Sequence, residues 1–181
     1  MRKIGAALFR PATFKGLRPQ AGRGPRRGMK PYADTNFFTR LYLPLPGREK
    51  ADRLLESSRH GSAVPVIWLH RMELLNAFEL SVWLGRQGEH PAVSSQQAAV
   101  ALATFRDDLE AKAFLSPVNP DPVKLESWFE AAAHRHTAKH GFRTCDIMHV
   151  VSARLLGCDV FFSFDQKAKK LAALEGLQVA S

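Results

Sequence analysis

Apolar and polar positions follow two rhythms along the chain. Short runs of β-forming residues alternate with longer stretches whose apolar residues recur every three to four positions, the period of an amphipathic helix. Tyr32 and Ala33 make a first short strand ending at Asp34, and Thr35 to Leu43 reads as a helix stopped by Pro44 and Pro46. Residues 48 to 58 place Leu54 and Leu55 among charges in a helical arrangement, and Ala63 to Trp68 is a second strand candidate. A strong helix is predicted over 70 to 86, with Leu74, Leu75, Phe78 and Val82 on one face, broken by Gly88 and Pro91. An Ala-rich helix over 94 to 114 and a strand at Leu115 to Val118 follow, and Pro122 then opens a helix that Gly141 ends near His140.

Thr144 is a good N-cap for a helix over 145 to 156, whose apolar residues cover nearly every side and predict burial. The run Asp159-Val160-Phe161-Phe162-Ser163-Phe164 reads as a central parallel strand covered on both faces. A helix over 166 to 175 and a strand at 177 to 179 complete the pattern. Strands alternating with helices, without internal repeats, define an α/β fold: a three-layer α/β/α sandwich around a parallel sheet of about five strands.

Size and composition agree. A chain of 181 residues with 45% hydrophobic and 24% charged residues can fill one core and is neither collagen-like nor wholly disordered. No apolar stretch approaches the roughly 18 residues of a membrane span. Two cysteines, Cys145 and Cys158, are too few for a disulfide framework, so a reducing compartment, the cytoplasm, is expected. They read as small core residues.

The net charge of +9 looks like a nucleic-acid footprint until it is located. Residues 1 to 28 hold eight basic residues and no acid, and the other 18 basic residues nearly balance 17 acids, leaving +1 for residues 29 to 181. The first 28 residues, with Gly and Pro throughout, read as a disordered basic leader. They resemble an organelle transit peptide, a flexible basic arm, or translated upstream sequence before a true start at Met29. The boundary at residue 29 separates this leader from a single folded domain.

In parallel α/β folds, ligands bind outside the carboxyl ends of the strands. Asp34 follows the first strand and Asp165 the fourth. Glu73 lies in the first turn of the helix after the second strand, and Asp146 in the first turn of the helix predicted to be buried. Four acids can therefore converge. The competing reading of each is helix capping, since the macrodipole favours an acid in a first turn by about 0.3 to 1 kcal/mol.

Taken together, these residues resemble a PIN-domain ribonuclease, most closely the VapC type of toxin from toxin–antitoxin pairs. The resemblance covers residues 29 to 181 and rests on Asp34-Thr35-Asn36 with Leu41-Tyr42-Leu43-Pro44, then Glu73-Leu74-Leu75-Asn76-Ala77. Arg143-Thr144-Cys145-Asp146-Ile147-Met148-His149 and Ser163-Phe164-Asp165 complete it. By position, Asp34, Glu73, Asp146 and Asp165 match the family's acidic quartet, Asn36 its nearby polar residue and Ser163 the hydroxyl before the last acid. The resemblance implies a homodimer, an antitoxin partner, and hydrolysis of RNA that leaves 5′-phosphate and 3′-hydroxyl ends. The leader and Cys145 depart from the family pattern.

The chemistry suits that quartet. Two carboxylates about 4 Å apart repel by roughly 4 kcal/mol at an effective dielectric of 20, so a close set protonates or recruits a cation. Neutralising any one acid should then leave the folded protein as stable or more so. Oxygen donors from Asp34, Asp146 and Asp165 favour Mg²⁺ or Mn²⁺ over Zn²⁺. Arg143 and Lys167, with Lys169 and Lys170 nearby, are candidate contacts to RNA phosphates, against a reading as solvated helix charge. His149, one turn after Asp146, reads as a packed or supporting residue, and His134, His136 and His140 as a solvated helix end. A non-catalytic PIN-like RNA-binding or assembly module is the alternative. A metal-dependent phosphatase fits less well, because Asn36 stands where that class wants a second Asp.

Overall fold

The structure is a computed structural model that describes residues 29–58, 62–88 and 91–180. The leader over residues 1 to 28 lies outside the described residues. Twelve elements alternate among the described residues: β1 (Pro31–Ala33), α1 (Thr35–Tyr42), α2 (Arg48–Ser58), β2 (Val64–Val66), α3 (Trp68–Gln87) and α4 (Ser95–Ala111), then β3 (Leu115–Pro117), α5 (Pro122–His140), α6 (Thr144–Leu155), β4 (Val160–Phe162), α7 (Gln166–Leu174) and β5 (Gln178–Ala180). Each predicted helix and strand is present, with ends shifted by a few residues.

The five strands form two parallel sheets rather than the continuous one expected. β4 pairs with β1 on one side and β5 on the other, while β2 pairs with β3. Proline accounts for the division. The Val64 amide donates to Phe114 O and the Val66 carbonyl accepts from Val118 N, so both valines direct their backbone at the β3 side. The residue between them presents its backbone to the opposite side, toward β1, and it is Pro65, which has no N–H to give.

An imidazole closes the gap. The Ile67 amide donates to His70 Nδ1 at 3.0 Å, and His70 Nε2 donates to the Ala33 carbonyl at 2.8 Å. The ring is wholly buried, and desolvation, reinforced by His149, pushes its pKa down to about 3, so it bridges the two sheets as a neutral ring.

Strand alternation sorts the core into two halves. Tyr32 and Phe161 point to one face and pack with Ile147, Val150, Leu171 and other residues of α5, α6 and α7. Ala33, Val160 and Phe162 point to the other face, against Phe37, Phe38, Leu74, Phe78 and Phe105 of α1, α3 and α4. Helices therefore cover both faces of the strands, as the sandwich requires. On α3, Leu74, Phe78 and Val82 are buried one turn apart, but Leu75 is 46% exposed, because it falls off that stripe.

Candidate active site

The strands are only three residues long, so each delivers the next side chain directly to the carboxyl edge. The Asp34 amide still bonds to Phe162 O at 3.1 Å, which fixes the turn where β1 becomes α1. Asp165 opens α7 two residues after Ser163 leaves the end of β4. Asp146 is in the first turn of α6 and Glu73 near the start of α3. All four acids line one open cavity of about 630 Å³, together with Thr35, Asn36, Arg143, Cys145 and His149 and with Ala77, Leu80 and Leu84 of α3.

Three of the acids also cap helices, so the competing reading describes part of their work. Asp34 Oδ1 accepts from Phe37 N at 2.8 Å, and Asp165 Oδ1 accepts from Lys167 N at 2.6 Å. Asp146 Oδ2 accepts from Arg143 N at 3.1 Å, which makes Arg143, not Thr144, the residue at the cap position. Capping ties each side chain to the start of its helix by one oxygen.

Asp34 is the most confined of these, at 5% exposure. Its Oδ2 accepts from the Ser163 hydroxyl at 2.6 Å, and the same hydroxyl accepts from Asp165 N at 2.9 Å. Burial drives the Asp34 carboxyl up to about 6, with the Asp165 charge adding to the rise against the pull of Ser163, His149 and the Phe37 amide. Burial, more than repulsion between carboxylates, sets this rise.

Glu73 behaves in the opposite way. Thr35 Oγ1 donates to its Oε2 at 2.5 Å, and His149 Nε2 lies 2.6 Å from the same oxygen. Burial alone would raise this carboxyl, but His149, Cys145 and Thr35 together bring it down to about 2. Repulsion from the other acids is not among the main causes acting on Glu73, whose partners His149, Cys145 and Thr35 favour its charged form.

His149 was expected only to pack or support. It is buried, and its second nitrogen, Nδ1, faces the Tyr32 hydroxyl at 3.0 Å. Cys145 is exposed on the cavity wall, not in the core, because the second position of α6 faces the acids and not the sheet. Desolvation and the hydrogen bond to Glu73 push its thiol up to about 11, so it is a protonated donor. Cys158 is buried, as expected.

Among the polar residues carried over by resemblance, Ser163 meets Asp34, and Asn36 lines the cavity with its Oδ1 accepting from Arg40 Nη1 at 2.6 Å. Arg143 lines the cavity; Lys167 is exposed on the first turn of α7, outside the lining. Lys170 Nζ is turned to His140 Nδ1 at 3.2 Å.

The other histidines separate. His134 is solvated beside Glu130 on the surface of α5. His136 is not part of a solvated end: only 14% of its side chain is exposed, and its Nε2 meets Glu175 Oε1 at 2.8 Å. Arg135 and Arg154 also pair with that buried carboxylate, which clasps α5, α6 and the end of α7 together.

Residues 32–174 match the PIN domain family, and the chain belongs to that family. Among solved structures it is similar to the Mycobacterium tuberculosis toxin VapC20, described as a sarcin–ricin loop cleaving toxin. The two are 20% identical, with a TM-score of 0.55 over 83% of this chain and 99% of that one. It is also similar to VapBC2 from Rickettsia felis, solved bound to a DNA fragment from the promoter of that pair, at 11% identity and a TM-score of 0.57 over 83% of this chain and 96% of the other. At such identities the likeness shows the fold. No curated protein sequence matches the chain.

Proposed function

We propose that this PIN-domain protein is a metal-dependent endoribonuclease that hydrolyses RNA phosphodiesters, and that it is the toxin of a toxin–antitoxin pair. The observation that carries the reading is the placement of Asp34, Glu73, Asp146 and Asp165, from four separate segments, around one cavity. The structural neighbours, a toxin that cleaves an RNA loop and a VapBC complex, support it.

The donor set fits a hard divalent cation. Asp34, Asp146 and Asp165 offer only carboxylate oxygen, which suits Mg²⁺ or Mn²⁺. Among the described residues no three acidic, imidazole or thiol groups are placed to enclose an ion as they stand. When bound, such a cation polarises the phosphodiester and makes a water acidic enough to attack.

The protein's own groups do the rest. Ser163 holds Asp34 in place, and the raised carboxyl of Asp34 gains most from a neighbouring positive charge. Glu73, whose charged form His149, Cys145 and Thr35 favour, acts by accepting a hydrogen bond that orients the attacking water. Arg143 on the cavity wall and Lys167 beyond it neutralise phosphates and place the strand without reading bases. In-line attack releases a 3′-hydroxyl and leaves a 5′-phosphate. A homodimer, and an antitoxin with a basic side chain aimed at the acids, complete the assembly.

Growth of a bacterial host tests the toxin reading. Induced expression of the chain arrests growth, and the Asp34→Asn form, made to the same level, does not. Equal arrest by both forms contradicts a catalytic toxin.

A further inference from the structure

We propose that His149 is a positioning residue for the reaction: its Nε2–H holds Glu73 Oε2, and Tyr32, bonded to its other nitrogen, fixes the ring that does so. The activity arm of the test rests on the nuclease reading above; the spectroscopic arm does not.

Tyr32 is wholly buried, so its hydroxyl proton needs an acceptor inside the protein. Nδ1 of His149 stands 3.0 Å away, and the Ser152 side chain also acts on the hydroxyl. With Nδ1 held at Tyr32, the ring turns Nε2 to the opposite side. That nitrogen points at Glu73 Oε2, 2.6 Å away, and lies 3.2 Å from Thr35 Oγ1. Thr35 donates to the same carboxylate oxygen, so Oε2 has two donors and the orientation of the whole group is fixed.

The ring that does this is itself immobile. His70 packs on His149 with ring centroids 4.6 Å apart, and Tyr32 meets it edge-on at 5.9 Å. His70 is pinned in turn by the Ile67 amide and the Ala33 carbonyl. A continuous column thus runs from the gap between the two sheets to the Glu73 carboxylate. Because Asp34 begins where Ala33 ends, the element that places one acid also supports the partner of another.

A histidine that merely fills space affects stability and leaves turnover by the folded protein unchanged. The test is a double-mutant cycle on RNA cleavage, with kcat and KM measured well below the melting temperature of each variant. His149→Leu lowers kcat about 10- to 100-fold, the usual loss when a group that orients a site is removed, with KM little changed. His149→Gln keeps an N–H near the Nε2 position and recovers most of that loss. In a Glu73→Gln background, His149→Leu causes no further loss. Independent, additive losses, or no recovery by His149→Gln, overturn the proposal.

Nitrogen-15 NMR of labelled histidine gives the second readout, with His149 assigned by its absence in His149→Gln. The expected spectrum shows Nε2 carrying a proton in a strong hydrogen bond, with its signal moved in Glu73→Gln. An Nε2 without a proton, or one that does not respond to Glu73→Gln, overturns the proposal. If the wild type cleaves no RNA, the nuclease reading fails, and the spectrum alone decides whether His149 holds Glu73.

Discussion

Ser163 Oγ donates to Asp34 Oδ2 at 2.6 Å, tying the end of β4 to the end of β1. The bond joins two residues 129 positions apart at the one edge where parallel neighbours β1 and β4 both terminate. It lessens the cost of an ionised carboxylate in a buried position but does not cancel it, since Asp34 stays raised to about 6.

A pH dependence of stability follows for metal-free protein. The folded-state value lies above the ordinary 3.8, so folding favours the protonated acid. That contribution is fully present below about pH 4 and is lost as pH rises through 6, an amount of about 3 kcal/mol. Asp34→Asn removes the penalty. Its melting temperature in chelator should exceed that of the wild type at pH 7.5 and converge with it near pH 4; a difference of the same size at both pH values contradicts the account.

Glu73→Gln should do the reverse. The lowered carboxyl contributes stability above its ordinary 4.5, lost as pH falls toward 2. Replacing the charged acceptor of Thr35 and His149 should cost about 1.5 to 3 kcal/mol at pH 7, the range for a hydrogen bond to a charged group. Urea unfolding at pH 7 measures it, and a Glu73→Gln protein as stable as Asp34→Asn speaks against the network.

This contrast also marks what the sequence could and could not show. Strand and helix periodicity and the place of an acid after each strand end are local patterns, so the sandwich and the convergence of Asp34, Glu73, Asp146 and Asp165 were legible. Which acids repel and which are satisfied depends on partners far along the chain, such as Thr35 and His149 for Glu73. The division of the sheet had one local signal, Pro65 inside a strand, but its consequence required knowing that residue 65 faces β1. His70 carried no pattern at all, because a histidine early in a helix becomes a bridge only when β1 lies beside it. Cys145 was misplaced because an apolar helix conceals the one turn that faces a site.

His70→Leu tests the bridge. It leaves the Ile67 amide and the Ala33 carbonyl without their partner at a buried position, each at a cost of about 1 to 3 kcal/mol. Unfolding by urea should show a loss of about 2 to 6 kcal/mol, the sum of those two costs. A change under about 0.5 kcal/mol, the range of ordinary surface substitutions, means that the sheets do not depend on the imidazole.

Arg143 should act on binding rather than chemistry. With a non-cleaved RNA strand, Arg143→Gln should make the plot of log K against log salt shallower by about 0.7, the value for one phosphate contact on a single strand. Lys124→Gln, an exposed change on α5 away from the cavity, serves as the control and should leave the slope as in the wild type. A slope unchanged by Arg143→Gln removes Arg143 from the RNA path.

Cleavage of an end-labelled RNA by the purified chain decides whether RNA is hydrolysed at the four-acid cavity with a divalent cation. With Mg²⁺ or Mn²⁺ the RNA should be cut to 5′-phosphate and 3′-hydroxyl ends, and in excess EDTA it should stay intact. Folded Asp146→Asn should lose more than the roughly 100-fold upper value for losing an outer-shell partner. Cleavage that persists in EDTA, or that folded Asp146→Asn carries out at the wild-type rate, would contradict cation-dependent hydrolysis at that cavity.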